Sequence, residues 1–417
     1  MKILHISTKF SNSSAGYRIH AQLKKSGIES YTLTSNKSSD DDRELIISLY
    51  NKLKMHISYL YSDFIINKIN KVKDGQYFSA SEGISNTILN EIERINPDII
   101  HLHWINGGLL QISSLKKINK PIIWTLHDSW PFTGGCHIPY ACEEYKYNCM
   151  KCKKFSKNRI NISRYLLNKK KKEWKNLNIN IVAPSLWMFN RSKESKVFKA
   201  KPHYNIKNGI DLNVFKPINK NIARDKIGIC NDNKVKILFG SVNSDSDPNK
   251  GFYIIQKLIK KLSLKSDRYE LIIFGAKYNP DLNDYGIKIS QMGIINDQKQ
   301  LNLIYSSADI FLCPSISENL PNTILEAMSS GTPTVAFDIG GICDIITHKK
   351  NGYLCKAYDC QDLYEGIEWI INNDYESIRE EGIRSIKNNF NIECITHEYI
   401  ELYRDVLLKS KNCDFIK

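Results

Sequence analysis

Short runs of β-branched and aliphatic residues alternate along the chain with longer stretches of helical periodicity. That rhythm favours parallel sheets covered by helices, because parallel strands are joined by crossovers that lay helices on the sheet faces. The expected strands are Lys2–Ile6, Ile99–Leu102, Ile122–Leu126 and Ile179–Ala183, then Val235–Phe239, Leu271–Phe274, Ile310–Leu312 and Thr334–Phe337. Between them, Ile84, Ile88, Leu89, Ile92 and Ile95 give one apolar stripe, closed by Asn96-Pro97. Strand counting restarts between Pro184-Ser185 and the segment Asn205–Asp211. The expected fold class is therefore α/β, with two Rossmann-like domains over 1–200 and 201–394. A closing segment, 395–417, holds a helix over Ile395–Leu408 that is able to pack back on the first domain.

A chain of 417 residues, 42% of them hydrophobic, can bury two ordinary cores. It contains no apolar run of about 18 residues, and Met1–Ser7 reads as a buried strand rather than a signal peptide, which points to the cytosol. Eleven cysteines, an odd number at irregular spacing, are not a secreted disulfide framework; Cys313 and Cys343 read as small apolar thiols.

The net charge of +15 is unevenly placed. Residues 1–200 hold 32 Lys/Arg against 16 Asp/Glu, whereas residues 201–417 hold 27 against 28. The run Lys169-Lys170-Lys171-Lys172 beside Tyr165, Leu166, Leu167 and Trp174 reads as a basic, partly aromatic surface. Such a surface either keeps the protein soluble or draws it to anionic lipid headgroups on the inner membrane face. No basic-aromatic motif of a nucleic-acid module accompanies it, so no nucleic-acid partner is expected.

Two loops invite a ligand. Ser11–Gly16 is a small-residue turn ahead of a helix starting near Tyr17, which lets a ligand approach backbone N–H groups. The segment Pro314–Pro333 reads as strand end, loop, helix and stop, with Pro321 at the helix start and Gly331 beyond its end. Open α/β sheets bind ligands at this edge, and a diphosphate there would meet free N–H groups and the helix dipole. Glu326, five residues along, is displaced about 7–8 Å from that anion site at about 1.5 Å per residue, a reach that suits a ribose diol. Glu318 in the loop would face the sugar.

In this company the chain resembles the family-4 retaining glycosyltransferases of GT-B architecture. Glu318 and Glu326 match their E-x7-E motif, with Pro321, Leu325, Ala327, Met328, Gly331 and Pro333 around them. The likeness extends through Asn208-Gly209-Ile210-Asp211, Lys250-Gly251, Phe274-Gly275 and Gly340-Gly341. In the first half, Trp124–Asp128 with Trp130–Cys136 is similar to members that build bacterial surface polysaccharides of the colanic-acid type.

The resemblance implies a donor cleft between two Rossmann-like domains and transfer of a hexosyl unit, with retention, from a nucleotide sugar, a UDP-sugar, to a lipid-linked or oligosaccharide acceptor. It implies His127 and Glu318 as catalytic residues and Gly16, Lys250, Asn319, Leu320 and Glu326 as donor-binding residues. It further implies catalysis without a metal or cofactor. The chain departs from the family before Lys250, where Ser241, Val242 and Asn243 stand in place of an arginine, and at Ala15, in place of the first of two glycines. The alternative is a non-catalytic nucleotide-sugar or polyanion-binding protein on the same fold.

Cys136, Cys142, Cys149 and Cys152 form C-x5-C-x6-C-x2-C directly after the His127 strand. Four thiols this close suit structural zinc, or stay reduced without metal; in either state the insert shapes the acceptor side.

Overall fold

A computed structural model describes residues 1–36, 41–73, 77–81, 87–156, 160–240 and 247–414. It divides the chain into two units, Met1–Lys207 with Glu393–Lys417, and Asn208–Ile392. Ile84 and the Ser241–Asn243 segment lie outside the described residues.

The first unit is built on seven parallel strands: β1 (Lys2–Ile6), β2 (Glu29–Thr34), β3 (Glu44–Ile46), β4 (Ile99–Leu102), β5 (Ile122–Thr125), β6 (Ile179–Ala183) and β7 (His203–Asn205). Their order is β3-β2-β1-β4-β5-β6-β7, so the chain reverses direction across the sheet between β1 and β4. β1 registers on β4 with His5 opposite His101. The helix Ile392–Asp414 belongs to this unit, where its Tyr403 and Tyr399 hydroxyls reach His101 Nδ1 (2.7 Å) and Thr125 Oγ1 (2.9 Å).

The second unit repeats the plan with β8 (Val235–Gly240), β9 (Tyr269–Phe274), β10 (Ile289–Gln291), β11 (Ile310–Cys313), β12 (Thr334–Phe337) and β13 (Gly352–Cys355). All six are parallel, in the order β10-β9-β8-β11-β12-β13. The strands read as continuous apolar runs because both faces are covered. Leu238 and Phe311 pack into one core on one face, while Ile237, Ile310 and Leu312 pack into another on the opposite face. The order reverses between β8 and β11, the kind of edge at which open α/β sheets bind ligands.

Two readings of single residues change. Cys343 is exposed, while Cys313 is buried as expected. Lys170 is not part of a basic surface: it is fully buried, its Nζ donating to the carbonyls of Trp130 (2.5 Å) and Thr133 (3.0 Å) and lying 3.6 Å from the Trp130 ring centre. Helical spacing turns Leu166, Leu167, Lys170 and Trp174 inward on one face of Ile162–Trp174, leaving Lys171 and Lys172 outside. Lys170→Met takes the ammonium donor from the Thr133 carbonyl, at about 1–3 kcal/mol, and leaves the Trp130 carbonyl with the longer Thr133 N–H (3.3 Å). We expect thermal unfolding, followed by tryptophan fluorescence, to drop by roughly 2–12 °C in that variant.

Candidate functional site

At the edge of the second sheet, β11 runs into Pro314 and a loop that reaches the helix Asn322–Ser329. Lys250 Nζ lies 2.7 Å from Glu318 Oε1. Burial opposes the charge on Lys250, but the Glu318 carboxylate outweighs it and holds the ammonium above its ordinary pKa. The pair is fixed from both sides. Asn249 Nδ2 donates to Ser317 O (2.8 Å), and Ile316 N–H donates to Asn249 O (2.8 Å). A Cβ on Gly251, whose φ is +73°, would come within 2.1 Å of Pro314 O, so the Lys250 turn approaches the loop this closely only with glycine there. Gly340, with φ +57°, admits Glu318 O in the same way.

Lys250, Glu318 and Thr323 line one small recess with Gly240 and Pro314. Pro321 caps the helix without a side-chain hydrogen bond. A proline side chain brings no acceptor to the first turn, where Ile324 N–H donates to the Pro321 carbonyl (3.2 Å), and a start without a side-chain cap suits an incoming anion. The helix thus begins one residue later than the sequence suggested, and Gly331 follows its end with φ +84°.

The other residues read from the motif divide by environment. Leu320 is buried in the core, and its carbonyl accepts from Asn208 Nδ2 (3.2 Å), so its side chain is structural. Asn319 is half-buried in the loop. Glu326 is buried, with Oε2 accepting from the Tyr305 hydroxyl at 3.0 Å. The polar partner that a glutamate in so apolar a helix requires is thus supplied inside the unit by Tyr305. Asn249, Thr323 and Tyr305 were not legible from the motif. Asn249 sits beside Lys250, but nothing in its type signals that its amide ties down the Glu318 loop.

On the first unit, His127 follows β5 and belongs to a row of imidazoles across the carboxyl edge of β1, β4 and β5. His5 Nδ1 meets His103 Nε2 at 3.0 Å, and His103 Nδ1 meets His127 Nε2 at 2.9 Å. At the far end, His5 Nε2 is buried without a partner. A buried N–H without an acceptor is rarer than an unfilled lone pair, so the protons run toward His127. His5 Nδ1–H donates to His103, His103 Nδ1–H donates to His127, and His127 keeps its own proton on Nδ1. Burial lowers His127 to about 4 despite Asp128 beside it, and burial with His127 next lowers His101 to about 3.

Gly16 serves this row. A Cβ there would lie 2.9 Å from His103 Nδ1, so the helix Ala15–Lys25 approaches His103 through a glycine. Asp128 accepts from Trp104 Nε1 (3.0 Å) and the Trp130 N–H (2.8 Å), and its Oδ2 lies 2.6 Å from His137 Nδ1. It fixes the turn that follows His127.

The four cysteines line one cavity of about 330 Å³ with Phe78 and Tyr140. Burial pushes the Cys136 thiol up to about 11 and the Cys149 thiol up as well. Among the described residues, the one set of three metal-ligating types whose ligand atoms lie within 4.8 Å of one another is His5, His101 and His103, not the cysteines. Among the described residues, no three of these thiols bring their sulfur atoms within 4.8 Å of one another.

Residues 225–388 match the family described as glycosyl transferases group 1. Over 254 residues the chain is 24% identical to the putative colanic acid biosynthesis glycosyl transferase WcaC of Escherichia coli K12, covering 57% of this chain and 58% of that one. Over 213 residues it is 26% identical to an E. coli UDP-Gal:alpha-D-GlcNAc-diphosphoundecaprenol alpha-1,3-galactosyltransferase, covering 49% and 54%. The chain spans about half the length of the curated relatives it matches. Sucrose-phosphate synthase from Thermosynechococcus elongatus superposes with a TM-score of 0.69 at 15% identity, over 98% of this chain and 100% of that one, which bears on the fold. The resemblance to GT-B glycosyltransferases stands on these matches.

Proposed function

Taking the second unit as a glycosyl transferases group 1 domain, we propose that the chain is a retaining, metal-independent hexosyltransferase of family 4. It moves a sugar from a UDP-sugar to a lipid-linked or oligosaccharide acceptor in bacterial surface polysaccharide synthesis. The observation that carries this reading is the Lys250–Glu318 pair beside a helix N-terminus without a side-chain cap, at the sheet edge where β8 and β11 diverge. The galactosyltransferase relative, named for a diphosphoundecaprenol-linked GlcNAc acceptor, supports the acceptor class.

The donor diphosphate takes the place of Glu318 on Lys250. Glu318, released, turns to the sugar with the backbone of Asn319 and Leu320. Breaking the bond between the sugar and the diphosphate leaves negative charge on the phosphate, which the ammonium and the helix N–H groups stabilise without reorganising. The acceptor oxygen bonds to the anomeric carbon on the face the diphosphate leaves, and the acceptor proton passes to a leaving phosphate oxygen. Glu326, oriented by Tyr305, binds the ribose diol. We assign His127, on the first unit, to a sugar hydroxyl. We place the enzyme on the inner face of the cytoplasmic membrane as a peripheral protein; among the described residues no helix is long and apolar enough to cross a membrane.

The test is transfer from radiolabelled UDP-hexoses to a polyprenyl-diphosphate-linked sugar in EDTA, with the product anomer read by NMR. One donor is expected to give a product of unchanged anomeric configuration. Glu326→Ala is expected to lower kcat/KM roughly ten- to hundredfold, the worth of a charged hydrogen bond. Transfer that requires added Mg²⁺ or Mn²⁺, or an inverted product, would contradict the reading.

A further inference from the structure

The helix Leu49–Asp63 is folded with its polarity reversed. Ser58 and Ser62 are buried, at 1% and 8% exposure, while Leu49, Leu53, Ile57 and Leu60 stand 84%, 58%, 44% and 52% exposed. With Phe64 (55%), they recur at i, i+4, i+8, i+11 and i+15, one continuous stripe along the helix, widened by Tyr50 and Tyr61. The helix is held by its other side: a Cβ on Gly108, at φ +84°, would meet Met55 O at 2.3 Å. The stripe is therefore free of the fold's own packing.

Exposed apolar area of this extent marks a surface that is covered in use. Its rim says by what. Residues 49–73 contain five lysines and one acidic residue, Asp63. Lys54 Nζ lies over the Tyr50 ring at 4.3 Å, at the edge of the stripe. Beyond the helix, Val72 bridges Phe155, with Lys73 N–H on Lys154 O (2.9 Å) and Ser156 N–H on Lys71 O (2.9 Å), so the exposed Lys71 and Lys73 run alongside a segment whose Lys151 and Lys153 are also exposed. A second copy would bring these cations against their own kind, whereas an anionic bilayer offers acyl chains to the leucines and headgroup charge to the lysines. Tyrosines at such a rim sit at headgroup level.

We propose that the helix Leu49–Asp63 lies in the plane of an anionic membrane, its apolar stripe in the headgroup–acyl boundary and its basic rim on the headgroups. The proposal rests on the peripheral-membrane reading above and names the element that docks. The docking helix packs on the loop Trp104–Gly108, whose Trp104 holds Asp128, so the membrane-bound face adjoins the segment that follows His127. A lipid-linked acceptor presented by the bilayer would arrive at this side of the unit.

The test is co-sedimentation of the full chain with phosphatidylcholine vesicles containing phosphatidylglycerol, at low and high salt, beside the variant Leu53→Ser/Ile57→Ser/Leu60→Ser. The wild type is expected to bind, and to keep part of its binding at high salt because apolar insertion is not screened. The variant is expected to partition at least about tenfold more weakly, given that interfacial affinity scales with the apolar area inserted. UDP affinity by calorimetry should match the wild type, which shows that the fold is intact. If the wild type ignores the vesicles, the peripheral reading fails with the proposal. If wild type and variant bind equally, or high salt releases the wild type completely, the surface lysines alone hold the protein and the helix does not dock. A wild-type dimer abolished in the variant would make the stripe a self-interface and overturn the proposal.

Discussion

Unfolding of the first unit should take up about four protons near pH 5, so that its stability falls by roughly 5 kcal/mol per pH unit between pH 5.5 and 4.5. His5, His101, His103 and His127 are held neutral by burial, His101 at about 3 and His127 at about 4, with His5 and His103 also lowered. Unfolded, each protonates near its ordinary value of about 6.5. The unfolded chain therefore binds more protons, and stability falls as pH drops through 6.5 and keeps falling until the folded values are reached. Depressed carboxylates contribute lower down: Asp41, held well below the usual carboxylate range by Lys24 and the Arg43 N–H, gives its share below about pH 4. A domain stable by about 5–15 kcal/mol cannot absorb a slope of this size for long, which sets the acid midpoint near pH 5. Five of the six tryptophans lie in 1–207, so urea titrations followed by tryptophan fluorescence at pH 7, 5.5 and 4.5 report on this unit. A stability that stays flat from pH 7 to 4.5 would show that the imidazoles are not held neutral.

The second large effect is a contrast between two substitutions at one ion pair. Lys250→Ala removes the ammonium that meets the diphosphate, and UDP affinity should fall ten- to hundredfold, by about 1.5–3 kcal/mol. Transfer should fall further, by about 10²–10³, since the charge on the leaving phosphate is largest in the transition state. Glu318→Gln acts in the opposite sense on binding. It frees Lys250 from a carboxylate 2.7 Å away and removes a negative charge beside the incoming dianion. UDP should then bind as tightly as to the wild type or more so, while kcat falls. Steady-state kinetics with parallel UDP titrations separate the two. A loss of UDP affinity in Glu318→Gln would mean that the pair orders the loop rather than guarding the anion site.

The long buried strands were legible because their runs are apolar on both faces: β1, β4, β6 and β12 fall on the residues read from periodicity. The strands β2, β3, β7, β10 and β13 were not, because edge strands such as His203–Asn205 and Ile289–Gln291 are three residues long and mix polar with apolar side chains. The helix Leu49–Asp63 escaped for another reason. Its apolar period faces outward, and inward packing is what periodicity is taken to mean.

At the site, the motif located Glu318 and Glu326 but not their environments. Glu326 is buried against Tyr305, 21 residues upstream, and Glu318 is ion-paired to Lys250, 68 residues upstream. The first pairing joins two helices, Gln298–Ser307 and Asn322–Ser329, and the second two loops at the sheet edge, and one sequence does not contain that information. The same holds for Gly16: its place in a small-residue loop was plain, but the ring it makes room for, His103, follows β4. Lys170 shows the limit of counting charge, since one lysine in a run of four is wholly inside.

The most direct measurement is a calorimetric titration of wild type and Lys250→Ala with UDP and UDP-sugars in EDTA. The account predicts metal-independent binding of UDP to the wild type, with one UDP-sugar preferred, and a ten- to hundredfold weakening in Lys250→Ala. Equal affinity in both proteins, or no binding to the wild type, would contradict the assignment of the donor site to the Lys250–Glu318 edge of the second sheet.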